Sequence, residues 1–156
     1  MIEYLDGDAL AVDAEVIMHQ TNCKGAMGAG IALQIRKKYP EVYKEYVDFC
    51  KSVTNSKELL GKCQIIKTIN GNFVANLFGE DAFYPKGVRH TDYDALEKSL
   101  KSLKEWMIEN EIKIASCPFL LGCGLAGGQK EVVLNILKQL FENDENIILY
   151  IVKYVK

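Results

Sequence analysis

Residues 19–32 read HQTNCKGAMGAGIA, and residues 121–128 read LGCGLAGG. Each glycine-rich stretch follows a run typical of a buried strand, EVIMH over 15–19 and KIASCPF over 113–119. Each also leads into a run with helical periodicity. The sequence thus contains two units, each made of a strand, a glycine-rich loop and a helix. Such units predict an α/β domain, in which ligands bind beyond the carboxyl ends of the strands.

The rest of the chain alternates between strand and helix patterns in the same way. We predict strands over 2–5, 15–19, 62–68, 72–77, 113–119 and 146–152, and helices over 30–38, 40–52, 92–110 and 127–143. Asn70-Gly71 predicts a two-residue turn between antiparallel strands, so the sheet should be mixed. The last strand, NIILYIV, is continuously apolar, as a sheet covered on both faces requires.

Composition and charge exclude several classes of protein. The 156 residues are 49% hydrophobic and 26% charged, with a formal net charge of -2. This is ordinary globular usage, and we expect residues 1–156 to form one domain that acts as a monomer. No apolar run approaches the ~20 residues that span a bilayer, and MIEYLDGDAL has no secretory signal pattern. The charge disfavours a dedicated nucleic-acid binder.

The cysteines and histidines argue against a metal centre. The chain has 5 cysteines with no CxxC pair, and only 2 histidines. Scattered cysteines in odd number are typical of reduced thiols, so we expect a cytoplasmic protein without a zinc site or a cofactor. Cys123, in the second glycine stretch, has two interpretations, a reactive thiol or, as we favour, a small residue filling a tight turn.

The two glycine stretches suit phosphate groups. Glycine lets the backbone approach a ligand closely, and free N–H groups at a helix amino terminus attract anions. Neither stretch is a GxxxxGK[ST] loop, and no GxGxxG is present, so a Rossmann dinucleotide site is set aside. The alternative is that the glycines only permit tight turns and helix packing, and their spacing leaves both interpretations open.

Several polar residues have both a structural and a functional interpretation. Asn22 is suited to bind ribose hydroxyls or to cap its own turn. Asp8 is suited to accept a hydrogen bond from a base amino group or to cap a turn. His19 lies in an apolar strand and is better explained as a core histidine. In the polar stretch 79–91, three residues are suited to contact an anion, although solvated loop charges are commoner: Lys86, Arg89 and His90.

These segments together resemble a known family. Gly7-Asp8 and residues 19–32, 76–79 and 122–128 resemble the macrodomain family in order and spacing, over nearly the whole chain. The match is closest to its small stand-alone branch, the ADP-ribose-1''-phosphate phosphatase-like (Appr-1''-p processing) proteins. NCKGAMGAGIA and GCGLAGG are its specific parts. The resemblance implies a three-layer α/β/α fold around a mixed sheet, with a cleft that binds ADP-ribose.

The resemblance also implies roles for individual residues. Asp8 is expected to accept the adenine amino group with Ala9 near the base, and Asn22 to contact the distal ribose. Two loops are expected to hold the phosphates and the adjoining ribose: Gly28, Ala29, Gly30 and Ile31 in the first, and Gly122, Cys123, Gly124, Leu125 and Ala126 in the second. These roles agree with the anion sites expected from the glycines.

The chain departs from the family pattern near the expected chemistry. Related members often follow the second loop with Asp-Trp, where this chain has Gln129-Lys130. Members that cleave ADP-ribosyl esters or DNA adducts use a middle-loop lysine, and some carry an acidic residue where this chain has Ala126. Lys86 lies near that lysine position without aligning cleanly. ADP-ribose binding is therefore better supported than any particular hydrolysis.

The activity we expect is hydrolysis of ADP-ribose-1''-phosphate to ADP-ribose and phosphate. The loops would hold the diphosphate, Asn22 would orient the distal ribose, and water would attack. The general base is left open among three residues: His90, Asp81 and Asp92. One alternative is a glycohydrolase that removes ADP-ribose from protein or nucleic acid, with Lys86 as nucleophile. Another is a non-catalytic ADP-ribose reader or sponge.

Overall fold

A six-stranded mixed sheet carries helices on both faces in the computed structural model, which describes residues 1–155. The strands are β1 (Ile2–Gly7), β2 (Val16–Asn22), β3 (Cys63–Lys67), β4 (Phe73–Glu80), β5 (Ile114–Pro118) and β6 (Ile148–Tyr154). The helices are α1 (Gly30–Lys38), α2 (Pro40–Lys51), α3 (Tyr93–Glu109) and α4 (Lys130–Phe141), with a 3-10 turn at Ser56–Leu59. None of the helices within residues 1–155 is long and apolar enough to cross a membrane.

The strand order is β1-β6-β5-β2-β4-β3. Strand β3 pairs antiparallel with β4, and the other neighbouring pairs are parallel. The carboxyl ends of five strands therefore meet at one edge of the sheet, and β2 lies between β5 and β4. This arrangement confirms the predicted mixed sheet and the three-layer α/β/α fold.

Alternate residues of β2 enter two different cores. Val16 and Met18 belong to the core under α3 and α4. Ile17 faces the opposite way and packs with Ile35 of α1 and Val42 of α2. A strand covered on both faces needs apolar side chains at consecutive positions, which explains the unbroken apolar run.

Several predicted boundaries shift at the edge that carries the loops. Strand β2 continues past residue 19 to Asn22, and β4 continues through Gly79 and Glu80, which were assigned to the polar stretch. Helix α4 begins at Lys130, after the predicted start at Gly127. The delay arises because residues 122–128 fold back on themselves before the helix begins.

The predicted two-residue turn at Asn70-Gly71 is wrong in length. Thr68 N donates to Asn72 O at 2.8 Å, which leaves residues 69–71 in the loop. Gly71 has a φ of 92°, a left-handed conformation that glycine adopts without steric cost. The longer loop keeps β3 and β4 antiparallel, as predicted.

His19 is a core histidine, as its apolar context indicates. Its Nε2 lies 2.6 Å from Asn76 Oδ1 on β4, and Asn76 Nδ2 donates to Gln64 Oε1 at 3.1 Å. Burial lowers the pKa of His19 to about 4, although the hydrogen bond to Asn76 opposes that shift. The ring is therefore neutral near pH 7 and joins two strands inside the sheet.

Asp92 caps helix α3 and provides a direct test of this local structure. Its carboxylate accepts a hydrogen bond from Ala95 N at 3.0 Å. We expect Asp92→Ala to lower the free energy of unfolding by about 1 kcal/mol, because the helix loses its capping acceptor. Urea denaturation measures the change.

Ser102→Ala is the matched control for the Asp92 variant. The Ser102 hydroxyl is exposed and donates to Lys98 O within the same helix at 3.2 Å. Its loss should change the free energy of unfolding by less than about 0.5 kcal/mol. Equal stability of the Asp92→Ala variant and the native chain would show that the cap contributes nothing.

Candidate functional site

Three loops meet at the carboxyl edge of the sheet. The first loop, residues 23–29, follows β2, and the second loop, residues 119–129, follows β5. These two strands are neighbours in the sheet, so the two glycine-rich loops lie side by side. The middle loop, residues 81–92, follows β4 on the other side of β2. The predicted pairing of strand-to-helix loops therefore places the three loops around one candidate site, which we call the cleft.

Asn22 organises the first loop. Its Oδ1 accepts hydrogen bonds from Lys24 N at 3.0 Å and Ala26 N at 3.3 Å, and its Nδ2 donates to Ala26 O at 2.8 Å. Tyr46 of α2 donates its hydroxyl to Asn22 O at 2.5 Å and to Asn22 Oδ1 at 2.9 Å. The turn-capping interpretation of Asn22 is correct, and the second Nδ2 hydrogen is left for another acceptor. No sequence pattern singled out the Tyr46 hydroxyl.

The loop glycines fall into two groups, those that packing requires and those that face open space. A Cβ at Gly128 would lie 2.4 Å from Gly122 O, and one at Gly127 would lie 3.1 Å from Arg89 Cα. These glycines are needed for packing. Gly28 and Gly124 have no left-handed φ, and a Cβ at either would meet nothing within 4 Å. Neither turn geometry nor packing requires glycine at these two positions, which leaves open space beside the backbone.

The first loop leads into an uncapped helix terminus. Ala29 is the N-cap residue of α1, with extended backbone, no side-chain capping hydrogen bond and no acidic residue in the first turn. Gly28, Ala29 and Gly30 are exposed, while Ile31 packs against the core. The free N–H groups and the positive end of the helix dipole therefore suit an anion.

The middle loop holds the second loop in place. His90 N donates to Ala126 O at 2.7 Å. Thr91 Oγ1 donates to Gly122 O at 2.6 Å and accepts a hydrogen bond from Gln20 Nε2 at 2.9 Å. The backbone of the second loop is thus tied to β2 through Gln20. The most exposed apolar side chain of the second loop is Leu125, which is 68% exposed.

The thiol of the second loop has a structural role. Cys123 is half-buried, and its Sγ donates to Leu121 O at 3.2 Å. Burial raises the pKa of the Cys123 thiol, chiefly by removing it from water. A thiol that keeps its proton is a poor nucleophile, so the interpretation of Cys123 as a turn-filling residue is the better one.

The structure gives the four candidate catalytic side chains of the middle loop different environments. Lys86 is exposed, and His90 is half-buried with its Nε2 2.6 Å from Pro85 O. Asp81 accepts a hydrogen bond from Ser56 Oγ at 2.8 Å, and Asp92 is occupied as the α3 cap. Both aspartates therefore have structural partners.

Asp8 and Ala9 follow β1 at the same edge. Asp8 Oδ1 accepts a hydrogen bond from Leu10 N at 2.9 Å, which is the turn-capping arrangement. Ala9 is buried, and its carbonyl accepts a hydrogen bond from Ser116 Oγ of β5 at 3.1 Å. This turn uses one carboxylate oxygen of Asp8 and leaves the other for a ligand.

Glu80 is a buried carboxyl group at this edge that sequence reasoning missed. It is 9% exposed, and its Oε2 has no hydrogen-bond partner within residues 1–155. Burial raises the pKa of Glu80 to about 7, against the opposing effect of nearby His90. Glu80 is the last residue of β4, but the sequence predicts a loop at this position. Its burial could therefore not be expected from the sequence.

Known proteins match this chain over most of its length. Residues 18–137 match the model of the Macro domain family. An ADP-ribose 1''-phosphate phosphatase from Debaryomyces hansenii is 30% identical, over 88% of this chain and 83% of that protein. A DNA ADP-ribosyl glycohydrolase from Mycobacterium tuberculosis is 40% identical over 68 residues, which are 44% of this chain and 18% of that protein. This chain therefore corresponds to only a small part of the mycobacterial protein.

A solved structure shows the same architecture. The macrodomain of Mycobacterium tuberculosis DarG has a TM-score of 0.83 and 28% identity, and the match covers 100% of this chain and 98% of that chain. The residues matched by the family model, 18–137, include both glycine loops. This chain belongs to the macrodomain family.

Proposed function

We propose that this macrodomain binds ADP-ribose between its two glycine loops and hydrolyses ADP-ribose-1''-phosphate to ADP-ribose and phosphate. The observation that carries the binding proposal is the open space at Gly28 and Gly124, beside the uncapped terminus of α1. The Debaryomyces hansenii phosphatase supports the substrate, because it is similar over most of both chains.

Each loop contributes a separate part of the proposed ligand site. Backbone N–H groups of the first loop and the start of α1 hold the diphosphate from one side, and those of residues 122–126 hold it from the other. Asp8 accepts the adenine amino group through its free carboxylate oxygen, with Ala9 near the base. Asn22 donates its remaining Nδ2 hydrogen to the distal ribose.

The proposed reaction transfers the terminal phosphoryl group to water. Water attacks phosphorus, the bond between phosphorus and the 1'' oxygen breaks, and that oxygen takes up a proton. The fixed N–H groups of the two loops stabilise the charge that develops on the phosphoryl oxygens. Asn22 limits the rotation of the ribose, so that the leaving oxygen is aligned with the attacking water.

A glycohydrolase is the second candidate function. The mycobacterial relative acts on ADP-ribosylated DNA by its name, and its similarity covers part of this chain. Lys86 is exposed in the middle loop, and its amine would be the nucleophile that attacks C1'' of the ribose. The substrate would then be an ADP-ribosylated macromolecule. A reader that binds ADP-ribose without turnover is the third candidate.

We place residues 1–156 in one functional unit that acts as a cytoplasmic monomer. All five cysteines are unpaired, which supports a reducing compartment. One chain supplies every residue assigned to the cleft, so the proposed site needs no second copy.

The glycines provide a test of the binding site. We expect Gly28→Ala and Gly124→Ala to keep the thermal stability of the native chain, because the added methyl group meets no protein atom within 4 Å. Each should weaken ADP-ribose binding by about tenfold or more, which is ~1.4 kcal/mol, because the methyl group occupies ligand space. Calorimetric titration and thermal melting measure the two effects.

Gly128→Ala is the contrasting control. Its Cβ would lie 2.4 Å from Gly122 O, so this variant should lose thermal stability. Full affinity for ADP-ribose in both open-space variants would remove Gly28 and Gly124 from the ligand site.

Asn22→Asp tests the phosphatase. The substitution keeps an acceptor for Lys24 N and Ala26 N and removes the Nδ2 donor, including its hydrogen bond to Ala26 O. We expect phosphate release from ADP-ribose-1''-phosphate to fall by about 100-fold, because the ribose loses its orienting contact and the first loop loses one of its internal hydrogen bonds. Asn110→Asp, at the exposed end of α3, should release phosphate at the native rate. Binding of ADP-ribose without phosphate release by the native chain would reject this activity.

Trapping with borohydride tests the glycohydrolase. A Lys86 amine that attacks C1'' and releases the linked group forms an imine on the opened ribose, which borohydride reduces to a stable adduct. The phosphatase hypothesis predicts that ADP-ribosylated DNA or protein gives no adduct. Mass spectrometry would detect one as a modified Lys86, and its loss in Lys86→Arg but not in Lys62→Arg would favour the glycohydrolase.

A further inference from the structure

The backbone of Glu80 is fixed among the groups that build the cleft. It pairs with Asn22 across the β2–β4 register and forms an isolated bridge with Thr91. Cys23 Sγ donates to Glu80 O at 3.3 Å. Asn22 shapes the first loop, and Thr91 holds Gly122 of the second, so Glu80 lies where the supports of both loops meet.

A β-bulge sets the position of this residue. Thr21 pairs with Phe78 and Asn22 pairs with Glu80, so Gly79 is an extra residue in β4. A Cβ at Gly79 would lie 2.3 Å from Gln20 Oε1, so a larger residue there would displace the Gln20 side chain. Bulges re-aim the side chains that follow them and are frequent next to active sites. The bulge therefore gives Glu80 a direction that regular strand alternation would not.

Glu80 differs from the other carboxylates at this edge in having no structural partner. Asp8 caps its turn, Asp92 caps α3, and Asp81 binds Ser56. Glu80 Oε2 is buried without a hydrogen bond within the described chain. A buried carboxyl group without a partner destabilises a fold, so a structural role does not explain its presence.

The charged and titratable groups around Glu80 come from the first and middle loops. Asp81 is its neighbour in the middle loop, and Lys24 of the first loop lies 3.6 Å from the Asp81 carboxylate. His90 lies on the far side of the middle loop, and the Cys23 thiol is held protonated by a pKa near 12. Asp81 therefore partly neutralises the charge of Lys24. Burial raises the pKa of Glu80, and His90 is the group that opposes this rise.

We propose that Glu80 is the general base of the phosphatase reaction. Its carboxylate takes a proton from the attacking water as the new bond to phosphorus forms. The 1'' oxygen leaves from the opposite side of phosphorus and takes its proton from solvent water as its bond to phosphorus breaks. Glu80 returns its proton to solvent, so it ends the cycle ionised. This inference rests on the proposed phosphatase activity and names the residue that moves its proton.

Its acid–base properties suit this role. A general base works best when its pKa lies near the operating pH, and burial brings the pKa of Glu80 to about 7. Perturbed carboxyl groups also concentrate at active sites. The native rate should therefore rise with pH through about 7, as Glu80 ionises.

Glu80→Gln tests the inference, because glutamine has nearly the same shape and does not titrate. Phosphate release from ADP-ribose-1''-phosphate is measured from pH 5 to 9, with calorimetric titration of ADP-ribose alongside. We expect kcat to fall by about 100-fold or more, the rise near pH 7 to disappear, and ADP-ribose affinity to stay within about threefold. Glu131→Gln, an exposed carboxylate in the first turn of α4, should match the native chain.

Thermal melting gives a second readout that does not need turnover. The raised pKa means that the folded state binds more protons than the unfolded state between pH 4.5 and about 7. The stabilisation by protonated Glu80 is therefore present below pH 4.5 and is lost as pH rises through about 7. The Tm of Glu80→Gln relative to the native chain should be higher at pH 8 than at pH 4.5.

The outcomes separate the two proposals. Native phosphate release that Glu80→Gln leaves unchanged would overturn the role of Glu80 and keep the phosphatase. Native binding of ADP-ribose without phosphate release would overturn the phosphatase and the proton transfer with it, even where melting shows that Glu80 titrates. A Tm difference that is the same at both pH values would also count against Glu80, because its pKa would then be the same in the folded and unfolded chains.

Discussion

The parallel pairing of β2 with both β5 and β4 is the constraint on which the site depends. Strands that run in the same direction end at the same edge, and the loops that follow them must turn over that edge together. The two glycine loops are distant in sequence, yet they follow adjacent strands. Their separation is set by strand spacing, which hydrogen bonding holds near 4.8 Å in any sheet.

Strand spacing alone would not hold the loops rigid, and a chain of hydrogen bonds completes the arrangement. Gln20 of β2 donates to Thr91, and Thr91 donates to Gly122. Gly79 and Gly122 both lie against the Gln20 side chain, so a larger residue at either position would displace this connection. These hydrogen bonds hold the second loop against β2 without the help of any other group.

The sequence was informative where structure depends on local patterns. Apolar runs and helical periodicity predicted the strands and helices, and the glycine motifs located both loops. Prediction failed where distant contacts decide the outcome. The Asn70-Gly71 turn lengthened because Thr68 and Asn72 pair across the hairpin. Glu80 was missed because its burial follows from a β-bulge, which only the register of the sheet reveals.

Sequence patterns are equally limited for side chains that have both an apolar and a polar part. A tyrosine on the inner face of a helix looks apolar in any periodicity analysis, yet the Tyr46 hydroxyl donates to Asn22 twice. The glycines were equally ambiguous, because spacing cannot distinguish a packing requirement from ligand space. The structure divides them, with Gly127 and Gly128 in close contact and Gly28 and Gly124 facing open space.

The polar end of the sheet lowers the stability of the fold. Three buried atoms lack hydrogen-bond partners within residues 1–155, namely His19 Nδ1, Gln20 Oε1 and Glu80 Oε2, and all belong to β2 and β4. Each such atom costs about 1–3 kcal/mol. The apolar cores on the two faces of β2 offset that cost. Because both strands are anchored by apolar side chains at their amino-terminal halves, their carboxyl ends can carry unpaired polar groups without loss of the fold. Unpaired polar groups at the edge of a well-packed sheet are the arrangement that a preorganised site requires.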